Sequence, residues 1–508
     1  MLNRVLDQSK LPLYTALKNY SLDGTTSFHV PGHKQGKGSQ EMAKLLGLDC
    51  LKIDLTCMED LDNICNPVSV IKEAQDLGAQ LYGADNAFFL VNGTTSGIQA
   101  MIMSVCEPGD KIIIPRNAHK SAIGGIILSG AIPIYIEPEI DDFLGISMGV
   151  KPETVASALE KYPEAKAVFL INPTYYGIAS ELQAIINLTH AFGKPVIVDE
   201  AHGTHLKFDS RLPLSAMEAG ADLSASSTHK LGGSLTQSSI LLHQGDLVDP
   251  QKVKAVLNLT QTTSPSYVLL ASLDIARKQM AEQGEKLIST IYDLSLWARA
   301  EISQIEGLYL MGEDVLQQPG CYALDPTKIV VNVKGLGLSG YEVEKILRKK
   351  YQIQVELSDL FNVLSLVSIG DDQESLTKLI NAFKEIADSQ KVKNVVKYFI
   401  PLPPIPELVI SPRTAFYAET KVMSLSEAEG EVCAEMIMAY PPGIPIICPG
   451  EKITHEIIDY VNILRKEHAE LQGTQDPEVK NIKVLCHPAQ SEMTEAEPAM
   501  TSNHIQAI

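Results

Sequence analysis

Residues 196–234 read VIVDEAHGTHLKFDSRLPLSAMEAGADLSASSTHKLGGS. An apolar run closes on Asp199. This places a carboxylate at the carboxyl edge of a parallel sheet, the edge at which open α/β sheets bind ligands. Thirty-one residues later, Lys230 follows small and hydroxyl residues and precedes two glycines. Lysine is the side chain that forms Schiff bases with carbonyl compounds, and small neighbours let a flat ring approach the backbone. Each feature also has a plainer reading: Asp199 as the cap of the following turn, Lys230 as a surface lysine in a loop.

Around this stretch, residues 66–275 alternate helix-like and strand-like runs. They read helix VSVIKEAQDLGAQLYG, strand NAFFLV, helix IQAMIMSVC, strand KIIIP, helix AIGGIILSG, strand IPIYIE, helix PETVASALEKY, strand KAVFLI, helix ELQAIINLTHAFG and strand KPVIVD. The alternation predicts an α/β large domain whose mainly parallel sheet is covered on both faces. Residues 1–65 read as an N-terminal arm with one short helix, LPLYTALKNY. The segment SPSYVLLASLDIARKQMAEQGEKLISTIYDLSLWARAEISQI predicts one long helix leaving the large domain. Residues 276–400 predict a smaller α+β domain, with KIVVNV, EVEKILRKKY, QVEL, VLSLVSIG and ESLTKLINAFKEIA as its elements. PLPPIP marks a linker. Residues 401–470 form a C-terminal segment with the helix HEIIDYVNILRKEHAEL, and 471–508 predict a disordered polar tail.

Two further stretches carry chemistry. VNGTTSG (91–97) lies between a strand and a helix. Backbone N–H groups and hydroxyls at a helix N-terminus make an anion site, although Thr and Ser there also cap helices. IIIPRNAHKS (112–121) sets His119 just past a strand end, where an imidazole stacks on a flat ring or serves structure alone.

Anion loop, His119, Asp199 and Lys230 occur in the order found in fold-type I pyridoxal 5'-phosphate (PLP) enzymes, the aspartate aminotransferase-like fold, which residues 80–275 resemble throughout. FHVPGHKQGKG (28–38), NPTYYG (172–177), STHKLGGSLTQSS (227–239) and PPGIPIICPGE (441–451) narrow the resemblance to the Orn/Lys/Arg decarboxylase family. It covers nearly the whole chain apart from the tail. The PLYTALKNY and FHVPGHK start resembles short members without an added N-terminal receiver-like domain. DEAHG and STHKLGGSLTQSS are most similar to short members described as biosynthetic arginine decarboxylases.

The resemblance implies PLP as cofactor and decarboxylation of a basic amino acid. Arginine, giving agmatine for polyamine biosynthesis, is favoured over lysine and ornithine. Lys230 would carry the cofactor, Asp199 would face its pyridine nitrogen and His119 would stack on its ring. Thr95 and Ser96 would bind phosphate, with Ser227 and His229 beside them. Proton return to the substrate Cα would fall to Lys230 or His229. The family builds its site across a dimer interface, so a homodimer or higher homo-oligomer is expected, with Thr263 and Ser264 of QTTSPSY reaching the partner's phosphate. Larger members carry an aromatic residue three positions after the Asp; this chain has His202, which leaves that position's role open.

The far end of a basic substrate is cationic and calls for a carboxylate. Glu356 in QVELSDL is the first candidate and Asp359 the second; either also reads as a capping or solvated side chain. Arg413 in SPRTAF reads as structural.

The bulk numbers limit the alternatives. At 508 residues the chain exceeds one compact core. A net charge of −20 and a pI near 5.1 exclude nucleic acid and anionic membrane surfaces as natural partners. No apolar run reaches the roughly 18 residues of a membrane span, and MLNRVLDQSKLPLY lacks the apolar core of a signal peptide. Eight cysteines without a C-x-x-C pair read as reduced thiols of a cytoplasmic protein. GHKQGKG fails as a P-loop, because three residues separate Gly32 from Gly36 and Lys37 precedes Gly38. His29, His33, Cys57 and Cys65 have no metal-ligand spacing. An aminotransferase or lyase of the same fold is the enzymatic alternative, disfavoured by HVPGHK and PPGIP. A silent regulatory homologue would be expected to lack the Lys or the Asp; both are present.

Overall fold

The computed structural model describes residues 5–390, 402–439 and 443–487. Its centre is a seven-stranded sheet. In chain order its strands are β1 (Asn86–Leu90), β2 (Lys111–Pro115), β3 (Ile132–Ile136), β4 (Ala167–Ile171), β5 (Val196–Asp199), β6 (Leu223–Ser226) and β7 (Ser239–His243). Across the sheet they lie β1-β7-β6-β5-β4-β2-β3. β2 pairs parallel with β3 and β4, β4 with β5, and β5 with β6. β7 is antiparallel to both β6 and β1. Nothing in the alternating pattern announces β7. Only the single helical turn Thr228–Leu231 lies between it and β6, too little for the crossover helix that a parallel return needs.

Val196, Ile197 and Val198 are fully buried, as strands covered on both faces require. The directions gather six segments at one edge of the sheet: the residues after β1 to β6. The helix after β1, α2 (Gly93–Val105), starts inside the NGTTSG stretch, so those residues form its first turn rather than a free loop. It packs so close to the sheet that a Cβ on Gly97 would fall 2.7 Å from Leu90 Cδ1 and 3.1 Å from Ala225 Cβ.

The N-terminal arm docks through helix α1 (Pro12–Leu22). Its cap residue, Leu11, has no side-chain acceptor. Asp274, from the long helix α3 (Tyr267–Ile302), supplies the cap instead: its Oδ2 accepts the N–H groups of Leu13 and Tyr14 at 3.1 and 3.3 Å. Asp274 Oδ1 accepts from Arg277 at 2.8 Å, and Arg277 also donates to the carbonyls of Gln8, at 2.7 Å, and Lys10. This is a tertiary answer to the orphan N–H groups of a helix start.

Residues 309–366 hold a four-stranded antiparallel sheet: β8 (Tyr309–Leu310), β9 (Lys328–Asn332), β10 (Leu357–Ser358) and β11 (Asn362–Leu366), in the order β8-β9-β11-β10. Helices Gly340–Lys350 and Gln373–Ser389 accompany it. QVEL pairs only from Leu357 onward. The disordered tail expected from residue 471 is corrected. Leu471–Gln472 pairs with Ile437–Ala439, and Asn481–Leu485 pairs with Thr420–Ser424. Ile482, Val484 and Leu485 are buried; this short apolar run is hidden in sequence by its polar surroundings. Residues 488–508 lie outside the described residues. All eight cysteines are free thiols. Among the described residues no helix is long and apolar enough to cross a membrane.

Asp274→Ala uncaps α1 and leaves a buried guanidinium without its counter-charge. The expected cost is about 3–5 kcal/mol, read as a lower midpoint in urea denaturation. An unchanged midpoint would show that this pair does not hold the arm.

Candidate active site

Lys230 lies in the turn just beyond β6. Its Nζ is 2.6 Å from His202 Nε2 and 5.8 Å from the centre of the Tyr175 ring. Tyr175 and His202 meet edge to face at 5.0 Å. His202 is buried, and burial followed by the charges of Lys230 and Lys328 drives it well below the ordinary imidazole range. The ring is therefore neutral. Its Nε2 accepts from Lys230, which places the ring hydrogen on Nδ1; Nδ1 is buried and has no partner. Burial also lowers Lys230 below the ordinary ammonium range, against the opposing charges of Glu356 and Asp199. A lysine pushed in this direction moves toward the free, nucleophilic amine.

Asp199 ends β5 and is buried. Its Oδ1 accepts the Ala201 N–H at 3.1 Å. Burial raises its pKa to about 6, with Ala201 and Lys230 pulling the other way. Next to it stands Asn172, whose N–H donates to the Asp199 carbonyl at 3.0 Å. Asn172 Oδ1 accepts from Ser180 N–H at 2.9 Å, which fixes the amide orientation. The buried Nδ2 then has no acceptor. Buried polar groups normally find partners, so a carboxylate without a cation beside an amide without an acceptor mark a place for a polar ring.

The anion end is built on α2. Thr94 Oγ1 lies 2.5 Å from Ser227 Oγ and 2.7 Å from Ser239 Oγ. Thr95 is exposed at the same turn. The Ser96 hydroxyl is engaged inside its own helix, donating to Gly93 O at 2.8 Å. Thr94 rather than Ser96 thus makes the contact across to Ser227. His119 caps the helix Lys120–Ser129: its Nδ1 accepts the Ser121 N–H at 3.2 Å. Burial, Lys230 and Lys120 together lower it to about 4, so this ring is neutral as well. His229 Nδ1 is 2.9 Å from the Ser238 carbonyl, which assigns it the hydrogen and leaves Nε2 a lone pair.

The two substrate candidates part company. Glu356 is exposed, and its charge acts on both Lys230 and His229. The Asp359 carboxylate is taken up elsewhere: it accepts from Phe361 N–H at 2.7 Å, Asn362 N–H at 2.8 Å, the Asn362 amide and Tyr176 O–H at 2.7 Å. It closes the turn between β10 and β11 and lines a cavity of 390 Å³ with Tyr175, Tyr176, Tyr341 and Tyr460. Thr263 and Ser264 are exposed, close to the anion loop through Gln261, which accepts from Val91 N–H at 3.3 Å. Arg413 donates to Leu128 O at 3.1 Å, a structural contact. Sequence reading passed over Asn172, Tyr175 and Thr94 individually, although all three lie within quoted motifs.

The profile of the Orn/Lys/Arg decarboxylase major domain matches residues 11–375, and that of the C-terminal domain of the same family matches 396–484. The chain belongs to the Orn/Lys/Arg decarboxylase family. Arginine decarboxylase of Bacillus subtilis (strain 168) is 48% identical to this family member over 483 residues, covering 94% of this chain and 99% of that protein. Arginine decarboxylase of Bacillus anthracis is 46% identical, covering 94% and 98%. Among solved structures, lysine decarboxylase LdcF of Francisella novicida superposes with a TM-score of 0.81 at 24% identity, over 93% of this chain and 81% of that one. A ureidoglycine-glyoxylate aminotransferase of Bacillus subtilis reaches 0.52 at 16% identity, over 64% and 86%. The large sheet has the fold-type I architecture. Family and fold imply PLP, and the residues fit it. Asp199 suits a protonated ring nitrogen, the orphan Asn172 Nδ2 a ring oxygen, the α2 turn a phosphate and Lys230 an aldehyde.

Asp199 has a raised pKa, near 6 against an ordinary 3.8. The folded state therefore binds this proton more readily than the unfolded chain. Above pH 6 the ionised carboxyl destabilises the cofactor-free fold, and the penalty disappears as pH falls from about 6 toward 4. Asp199→Asn should make the cofactor-free protein more stable at pH 8 by about 2–3 kcal/mol, with the difference shrinking by pH 5 in urea denaturation. Equal stability at pH 8 would contradict a buried, uncompensated carboxylate.

Proposed function

We propose that this family member is a PLP-dependent decarboxylase that converts L-arginine to agmatine and carbon dioxide. The carrying observation is the Lys230 amine, partly buried 2.6 Å from a neutral imidazole, at the sheet edge that also holds Asp199. The choice of arginine is supported by relatives named arginine decarboxylase at 46–48% identity.

When bound, PLP supplies an electron sink for the pair left behind as the substrate carboxylate departs. The chain's own residues do the rest. Lys230 Nζ would hold the cofactor through its aldehyde carbon. Asp199 would keep a proton on the ring nitrogen and so sustain the sink. His119 would stack on the ring. Thr94, Thr95 and Ser227, at the N-terminal turn of α2, would hold the phosphate. Glu356 receives the substrate guanidinium. Two groups can return a proton to Cα: Lys230 Nζ, and His229 Nε2 once its lone pair has taken up a proton from solvent. Orientation accounts for much of the rate. The assembly is a homo-oligomer, at least a dimer, in which exposed Thr263 and Ser264 complete the partner's phosphate site.

A decarboxylation assay with PLP on arginine, lysine and ornithine tests the reading. Agmatine from arginine alone, abolished in Lys230→Ala, is expected. Cadaverine or putrescine would overturn the substrate, and no amine from any of the three would overturn the reaction. Glu356→Gln should raise KM for arginine about tenfold with little change in kcat. An unchanged KM would remove Glu356 from the substrate site.

A further inference from the structure

Behind His202, three loops meet: residues 172–180, 199–205 and 322–328. A fully buried cluster joins them, made of His205, Asp325, Thr327 and Lys328. Lys328 Nζ donates to Asp325 Oδ2 at 2.6 Å and to the His202 carbonyl at 3.1 Å. His205 Nε2 donates to the same Asp325 oxygen at 2.9 Å. Thr327 donates its N–H at 3.0 Å and its O–H at 2.7 Å to Asp325 Oδ1. The backbone adds Asp325 N–H to Gly177 O at 2.8 Å and Tyr322 N–H to Ala179 O at 2.9 Å. The lysine stem lies directly on the NPTYYG turn: a Cβ on Gly177, whose φ is +86°, would fall 3.0 Å from Lys328 Cβ and Cγ.

Packing alone does not call for a lysine here. An apolar replacement of a buried ion pair is often as stable as the pair. What the pair adds is direction: one ammonium aimed at the main chain of the residue whose ring holds Lys230. We propose that Lys328 is a positioning residue for Lys230: by holding the His202 main chain it presents His202 Nε2 to the Lys230 amine. This rests on the reading of Lys230 as the cofactor-linked amine.

The charges around the two groups support it. Asp199 and Glu356 face Lys230 and favour its ammonium form. His119, His229 and His205 are held toward neutrality by burial. Lys328 is the cation that acts on both His202 and Lys230. Asp325 opposes it at His202, but the Lys328 ammonium bonds both groups and so lies between them. Arg299 donates to the carbonyls of Lys328, at 3.0 Å, and Met311. Burial would raise Asp325, yet Lys328 and His205 hold it far below the carboxylate range, so the Lys328 charge is fixed in place. A cation beside a buried lysine is a known route to a nucleophilic amine.

The test strips the holoenzyme of PLP, adds PLP back and follows attachment by visible absorbance between about pH 6 and 10. The double variant Lys328→Met/Asp325→Asn removes both charges together and leaves no lone buried ion. Its attachment profile should shift to higher pH by about one unit, so that attachment near neutral pH slows roughly tenfold and converges on wild type at high pH. Lys328→Gln should shift the same way. Thr327→Val, which removes the hydroxyl hydrogen bond to Asp325 but no charge, should leave the midpoint in place. An unmoved midpoint, or slowing by one factor at every pH, would overturn the proposal. Wild-type attachment in Lys230→Ala would instead overturn the reading of Lys230 itself.

Discussion

A lysine amine held 2.6 Å from a neutral, buried imidazole is the constraint on which the rest of the site depends. A lysine in water is charged and a poor nucleophile, so the fold must make the ammonium costly without unfolding itself. It does so by placing Lys230 one residue turn beyond β6 and His202 three residues beyond the adjacent strand β5. Parallel pairing of those strands fixes the separation of their ends, so the contact is a consequence of sheet register rather than of flexible loops.

The neighbouring groups share this logic. Asp199 is buried with no cation in contact, Asn172 Nδ2 without an acceptor and His202 Nδ1 without a partner. Each is unfavourable in the protein alone. Together at one sheet edge they are complementary to a charged aromatic ring with polar substituents. Stability forgone in the bare chain becomes binding free energy when such a ring is present. The cluster behind His202 is the opposite case: Asp325 accepts from His205, Thr327 and Lys328, and its rigidity serves the groups in front of it.

What was legible in the sequence follows from what is local. VIVD is an apolar run with a charged end, so strand, edge and carboxylate could all be read from a few residues. The glycines and small residues around Lys230 were equally local. Asn172 was not legible as an unpaired donor, because that depends on Ser180 occupying its other end. Asp359 looked like Glu356 in sequence, but its position in a tight turn commits both of its oxygens. Lys328 opens the strand KIVVN and reads as the solvated end of a strand; only the approach of residues 199–205 buries it. The strand β7 and the strand Asn481–Leu485 were missed for a related reason. Both depend on pairing partners distant in the chain or on a reversal that periodicity does not record.

The most direct test of the central claim is to reduce the PLP-loaded protein with borohydride, digest it and locate the phosphopyridoxyl group by mass spectrometry. The account predicts the label on Lys230, in the peptide containing STHKLGG. A label on Lys328, Lys120 or any other lysine, with Lys230 unmodified, would contradict it.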